Sequence, residues 1–305
     1  MEFQTILNSV QAGSFLASKP IREVREIDLK RNPEVIGSRK YNGNFSTAVT
    51  QGAGQFNFFT ISNLPLASFL AGTSYSNPLW ANDPAWRSGM ASIPSQSIVL
   101  GEIFIPSVTM ENLGAFQEWY TWHKNSLANT GAAMPAPAMY RVFDVLAWNG
   151  KSIAHLPYRE RFQYIPEAVR VERAPFTSLQ EANSAITRAQ ELSIEGFVLW
   201  DANAPSQCKL EGKNHARRGA WKAKPLYKEK FMLLGFTNPT SENMVATLGN
   251  ATITFNCGSG LEPAERRELI SLWKQAIAVN VEVAHYGYNE QGKPEIPIIA
   301  GFEKV

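Results

Sequence analysis

The chain has 305 residues, 44% of them hydrophobic and 18% charged, and a formal net charge of only +2. This is a globular composition, neither disordered nor fibrous, and the length exceeds what one compact core usually fills, so two domains are expected. Cys208 and Cys257 are too few for a disulfide framework or, without other ligands, a zinc site, which favours a reducing, cytoplasmic setting. Residues 1–20 lack the basic start and unbroken apolar core of a signal peptide. No stretch approaches the ~18 apolar residues of a membrane-spanning helix.

In chain order, residues 34–36 and 44–49 read as strands around a turn at Asn42-Gly43. Residues 56–61 follow a break at Gly52-Ala53-Gly54, and apolar runs separated in this way read as hairpins. Residues 71–97, rich in Ser, Pro, Asn and Trp, predict a long irregular surface loop. A buried strand is expected over 97–104, a helix over 110–125, and an apolar strand over 139–147 ended by Asn149-Gly150. Helices are expected over 157–169 and 178–191, the second opened by Thr177-Ser178 with Glu181 as a capping box. Residues 195–200 and 221–224 read as strands around a polar loop.

Beyond Lys230 the texture changes to short strands at 231–236, 244–248, 251–255 and 279–285, interrupted by one helix over 263–276. That density of strands is what a small barrel of the OB type looks like. The expected boundary lies near 232, giving domains 1–231 and 232–305. Charge is uneven along the chain. Residues 204–230 carry Lys209, Lys213, Arg217, Arg218, Lys222, Lys224, Lys228 and Lys230 against Glu211 and Glu229, with Trp221 and Tyr227 interleaved. This is either a phosphate-binding stretch or a solvated basic loop.

Several residues could carry chemistry, and each also has an ordinary structural explanation. Lys40, in Lys40-Tyr41-Asn42-Gly43, stands where one strand turns into the next; a lysine amine is a nucleophile only when neutral. Glu102 ends the apolar run Leu100-Gly101-Glu102. Phe143-Asp144 places an aromatic face beside an acid, and Glu195 opens the strand Glu195-Gly196-Phe197-Val198. Lys222 and Lys224, at i and i+2, share one strand face. His123, His155, His215 and His285 show no metal-ligand spacing, and Trp80, Trp86, Trp119 and Trp122 read as packing. Gly52-Ala53-Gly54 lacks the Lys-Ser/Thr of a nucleotide-binding P-loop.

Taken together and in order, these segments resemble the nucleotidyltransferase motifs of the ATP-dependent polynucleotide ligases. Residues 40–43 resemble motif I, 142–149 motif III, 195–198 motif IV and 221–224 motif V. Pro157-Tyr158-Arg159-Glu160-Arg161 resembles the arginine-bearing segment that follows motif III, with Arg161 the better match. Gly258-Ser259-Gly260-Leu261, Val281-Glu282-Val283 and residues 297–302 resemble the OB domain of DNA ligases. The resemblance covers residues 33–303 and implies an α+β protein: a nucleotidyltransferase domain of antiparallel sheets with flanking helices, then a C-terminal OB-fold β-barrel.

The resemblance also implies roles. Lys40 would attack the α-phosphorus of ATP to give a lysyl-AMP. Phe143 would stack on adenine, and Glu102 would hold the ribose hydroxyls. Lys222 and Lys224 would neutralise the α-phosphate and favour the neutral amine, with Arg161 as a further cofactor contact. Glu195 would bind Mg²⁺. The partner would be nicked duplex DNA, the enzyme a monomer of small viral or phage type, and the setting cytoplasmic.

Two departures from the family pattern stand out. Asn42 replaces the usual acid, and Phe45 replaces the arginine usual five residues after the nucleophile. Thr50-Gln51-Gly52 stands near the place of a missing Ser-Arg segment. An RNA ligase with the same chemistry, and a non-catalytic OB-type binding protein, remain alternatives at this level.

Overall fold

A computed structural model of the chain describes residues 2–17, 34–52, 54–70, 80–106, 118–122, 125, 136–174, 181, 194–211, 219–224, 227–239, 243–289, 291–294 and 296–305. The chain divides into two compact units, Met1–Lys224 and Pro225–Val305. The boundary expected from sequence, 231/232, falls inside the strand Tyr227–Asn238, which among the described residues pairs with strands of the second unit.

The first unit opens with α1, Phe3–Gln11, an element that residues 1–20 had not suggested. Phe3, Ile6, Leu7 and Val10 recur at helical spacing and are buried in the main core. Next come β1 (Val35–Arg39), β2 (Gly43–Gly52), β3 (Gln55–Thr60), β4 (Pro65–Leu70), α2 (Pro84–Ala91), β5 (Ile98–Phe104), β6 (Met139–Trp148) and β7 (Lys151–Ser152). They are followed by α3 (Tyr158–Gln163), a 3-10 turn at Glu167–Val169, β8 (Arg173–Ala174), β9 (Phe197–Asp201) and β10 (Ala220–Ala223). Six strands form an antiparallel sheet in the order β4-β3-β2-β5-β6-β7, and four form a second in the order β10-β9-β1-β8.

β6 is buried on both faces, which is why it reads as a continuous apolar run. On one side Trp86 Nε1 donates to Tyr140 O at 2.9 Å, and Trp80 packs against Phe58, Trp86 and Trp119. On the other side Phe143 stacks on Trp200 of β9 at 5.5 Å, joining the two sheets. The opposite face of the smaller sheet holds a separate cluster of Ala174, Leu199, Trp221 and Ala223. β6 turns into β7 through Asn149 (φ 50°) and Gly150 (φ 79°), the positive-φ pair of a tight hairpin.

Two expectations need correction. Residues 71–97 are not all loop, because α2 lies within them: Asp83 caps it by accepting from Trp86 N at 2.7 Å, and Pro84 occupies the first turn. The helix expected over 157–169 is broken at Pro166 into α3 and the 3-10 turn, since proline cannot continue the α-helical bonding. The capping-box helix at 178–191 lies outside the described residues except Glu181, and the helix at 110–125 is described only over 118–122 and 125.

The second unit comprises β11 (Tyr227–Asn238), β12 (Val245–Gly249), β13 (Thr254–Cys257), α4 (Pro263–Lys274), β14 (Val279–His285) and β15 (Ile298–Lys304). Its strands pair antiparallel in the order β13-β12-β11-β14-β15; among the described residues no pairing joins β13 to β15 to close a barrel. α4 starts with a capping box between Glu262 and Glu265. Its Leu269, Ile270 and Leu272 pack on Phe231, Leu248, Val281 and Val283.

Candidate active site

Lys40 follows β1, and its backbone N–H donates to Gly196 O at 2.8 Å. Gly196 has φ +127°, and a Cβ there would lie 2.4 Å from Ala223 O. Only glycine therefore lets the entry of β9 come this close to the end of β10. The consequence is that Glu195 sits between the ends of β1 and β10. Lys40 Nζ is 2.6 Å from Glu195 Oε2, and Lys224 Nζ is 2.7 Å from Glu195 Oε1. One half-buried carboxylate thus bridges two ammonium groups. Burial works to raise the Glu195 pKa, but the two lysines together hold it below the ordinary carboxylate value. Lys222, opposite Val198 in β10, lies two residues from Lys224 and so on the same face.

Glu102 comes from the other sheet. Gly43 pairs with Phe104, and a Cβ on Gly43 would meet Ile103 O at 2.0 Å, so the glycine of Lys40-Tyr41-Asn42-Gly43 is what allows β2 to lie against β5. The same register puts Phe45 directly opposite Glu102, on one face. Burial pushes Glu102 up to about 8 against the pull of the Lys40 ammonium, with the Glu195 charge adding to the rise. At neutral pH Glu102 is therefore mostly a neutral acid that can donate as well as accept. Lys40, Glu195 and Glu102, from three separate segments, act on one another electrostatically.

Phe143 is placed by an irregularity in β6. Leu100 pairs with Asp144 and Gly101 with Val142, leaving Phe143 as the extra residue of a bulge. Bulges of this kind re-aim a side chain. The Phe143 ring has Trp200 stacked on it at 24° and Phe45 tilted against it at 5.5 Å. Phe45 was noted in the sequence only as a missing arginine; its contact with Phe143 and its register with Glu102 depend on long-range pairing that no local pattern announces.

Arg161 is directed inward. It is 2% exposed, its Nε and Nη2 donate to Asp144 at 2.7 and 3.1 Å, and its Nη1 donates to Leu156 O and Ala204 O. Its donors are spent within the unit. Tyr158 Oη donates to Phe143 O at 2.7 Å, and the Tyr158 ring stacks on Trp200, so α3 braces the strand that carries Phe143. Of the basic stretch, Lys213, Arg217 and Arg218 lie outside the described residues. Both cysteines are buried and neither forms a disulfide.

Among the described residues no group of three or more His, Cys, Asp or Glu side chains could hold a metal. The Glu195 carboxylate would nevertheless suit Mg²⁺, which uses one or two carboxylates and takes its other ligands from water and phosphates.

Two lysines held by one carboxylate, with a second carboxyl group in the neighbouring sheet, thus lie at the ends of strands from two antiparallel sheets. The family pattern described as "ATP dependent DNA ligase domain" matches residues 19–217, well over half of the chain. The chain belongs to this family, and it is a DNA-sealing enzyme that uses ATP. Among solved structures it resembles a Lig E DNA ligase studied for "DNA binding with a minimal scaffold". The TM-score is 0.59 at 16% identity, over 94% of this chain and 99% of that one. It also resembles a protein described as "Pmar-Lig_Pre.", with a TM-score of 0.58 at 13% identity over 95% of this chain and 68% of that one. At these identities the likeness is one of fold, and it extends over both units. No curated protein matches the chain. Among the described residues no helix is long and apolar enough to cross a membrane.

Proposed function

We propose that the chain seals nicks in duplex DNA as a monomer, with Lys40 as the adenylylated residue. The observation that carries this reading is the Lys40–Glu195–Lys224 bridge, with Glu102 within electrostatic reach. The Lys40 nitrogen attacks the α-phosphorus of ATP; the N–P bond forms, the P–O bond to pyrophosphate breaks, and the amine gives up a proton. The AMP then passes to the 5′-phosphate at the nick, and attack by the 3′-hydroxyl on that phosphate expels it. Lys222 and Lys224 supply fixed positive charge where the phosphate negative charge grows, the arrangement on which phosphoryl-type transfer most depends.

Glu102 takes the ribose hydroxyls. Phe143, with Phe45 at its edge, forms the aromatic corner for the adenine. Glu195 would hold Mg²⁺, which would supply charge neutralisation at the phosphates. Arg161 is left out of this ligand set, since its guanidinium is committed to Asp144, the residue that follows Phe143. A nick already carrying 5′-AMP tests the reading. Lys40→Ala should fail to seal an ordinary nick yet retain part of the wild-type rate on the pre-adenylylated one. Equal activity of the variant on both substrates would overturn it.

A further inference from the structure

Phe162 of α3 is fully buried, and two arginines cover it. The guanidinium carbon of Arg170 is 5.2 Å from its ring centroid and that of Arg173 is 4.9 Å. Their charges are therefore no more than about 10 Å apart, within roughly one Debye length at ordinary ionic strength. Among the described residues neither arginine makes an ion pair or a side-chain hydrogen bond; the nearby Glu172 is taken by Arg39 at 3.4 Å. Arg170 is half-buried and Arg173 exposed. Two like charges gathered on one ring repel, and among the described residues no side-chain N–H of either has an acceptor. A fixed arginine fork of this kind matches phosphate geometry.

Their position is as informative as their charge. Arg173 lies in β8, the edge strand, directly opposite Ser38. Cross-strand partners share a face, and so do residues i and i+2, which puts Arg173 on the face of β1 that continues into Lys40, about 7 Å of strand further on. A cationic pair without a counter-ion among the described residues thus lies on the sheet face that continues into Lys40.

We propose that Arg170 and Arg173, held over Phe162, bind backbone phosphates of the DNA beside the nick. The proposal rests on the nick-sealing reading and narrows it to a docking surface. The same guanidiniums could in principle meet the phosphates of ATP, so the test separates the two sources.

The full chain with Arg170→Gln, Arg173→Gln or both is titrated with nicked duplex in EDTA at several salt concentrations. Adenylylation by ATP is measured on the same preparations. Each phosphate contact contributes about −0.9 to the slope of log affinity against log salt, so the double variant should flatten that slope by nearly two while the adenylylation rate and its ATP dependence stay at the wild-type level. The Arg170→Lys/Arg173→Lys protein, which keeps the charge, should keep the slope. An unchanged slope in the double Gln variant overturns the proposal. So does a loss of adenylylation, because the pair would then serve ATP or the fold. If the wild-type protein itself takes no AMP from ATP, the nick-sealing reading fails instead, a result distinct from either.

Discussion

Lys40 and Glu195, 155 residues apart in the chain, are joined by a 2.6 Å ion pair whose second carboxylate oxygen is held by Lys224. The pair exists because the backbones of residues 40 and 196 are hydrogen-bonded and because glycine at 196 leaves room for β10. It places the proposed nucleophile beside a half-buried carboxylate that a second lysine also holds. The first four predictions follow from how this cluster is built and supported.

Glu195→Gln keeps the shape but removes the charge that the two ammonium groups share. Single-turnover adenylylation should fall by about 10²-fold or more, the scale seen when one preorganised electrostatic group is lost. A rate within a few-fold of wild type would mean that Glu195 only solvates the two lysines.

Gly196→Ala tests the backbone contact. The added Cβ would sit 2.4 Å from Ala223 O at a φ of +127°, so β10 must move or the strain must be borne. A cost of about 1–3 kcal/mol is expected in urea denaturation. The surviving folded protein should also adenylylate more slowly, since Lys224 rides on the end of β10. Wild-type stability and rate together would show that the close approach is dispensable.

Asp144 and Arg161 form a buried pair, 1% and 3% exposed at the side chain. Removing one partner strands the other, so Arg161→Ala should cost about 3–5 kcal/mol by chemical denaturation, with little direct effect on ATP affinity in the folded fraction. A large loss of ATP affinity with unchanged stability would return Arg161 to the ligand set.

Glu102 gives a pH signature. Its folded value, about 8, lies above its ordinary 4.5, so the native state keeps a proton that the unfolded chain releases. Stability from this group is therefore highest below about 4.5, declines as pH rises to about 8, and changes no further above that. Glu102→Gln should lack this decline. The melting temperatures of variant and wild type should diverge between pH 5 and 8, by a few degrees for each kcal/mol. Parallel curves across that range would show that Glu102 titrates normally.

The sequence was informative where chemistry is written in local pattern. Apolar runs marked β5, β6 and β9; Asn-Gly marked the turn after β6; and the lysine spacing in β10 put Lys222 and Lys224 on one face. Long-range register was not legible. Nothing local says that Phe45 faces Glu102, that a bulge turns Phe143 towards Trp200, or that Arg161 spends its donors on Asp144. α1 carries helical spacing in Phe3, Ile6, Leu7 and Val10 but no start signal, since Glu2 makes no side-chain capping bond. α2 was hidden by Trp, Pro and Ser, residues that suggest a loop unless Asp83-Pro84 is read as a cap followed by a first turn.

The central claim is that Lys40 is the residue that takes AMP. Incubation of the full chain with α-³²P-ATP and Mg²⁺, followed by digestion and peptide mapping, tests it directly. The label should appear on the peptide containing Lys40, resist competition by GTP, be discharged by pyrophosphate, and vanish in Lys40→Ala. Label on any other lysine, or undiminished label in Lys40→Ala, would contradict the account.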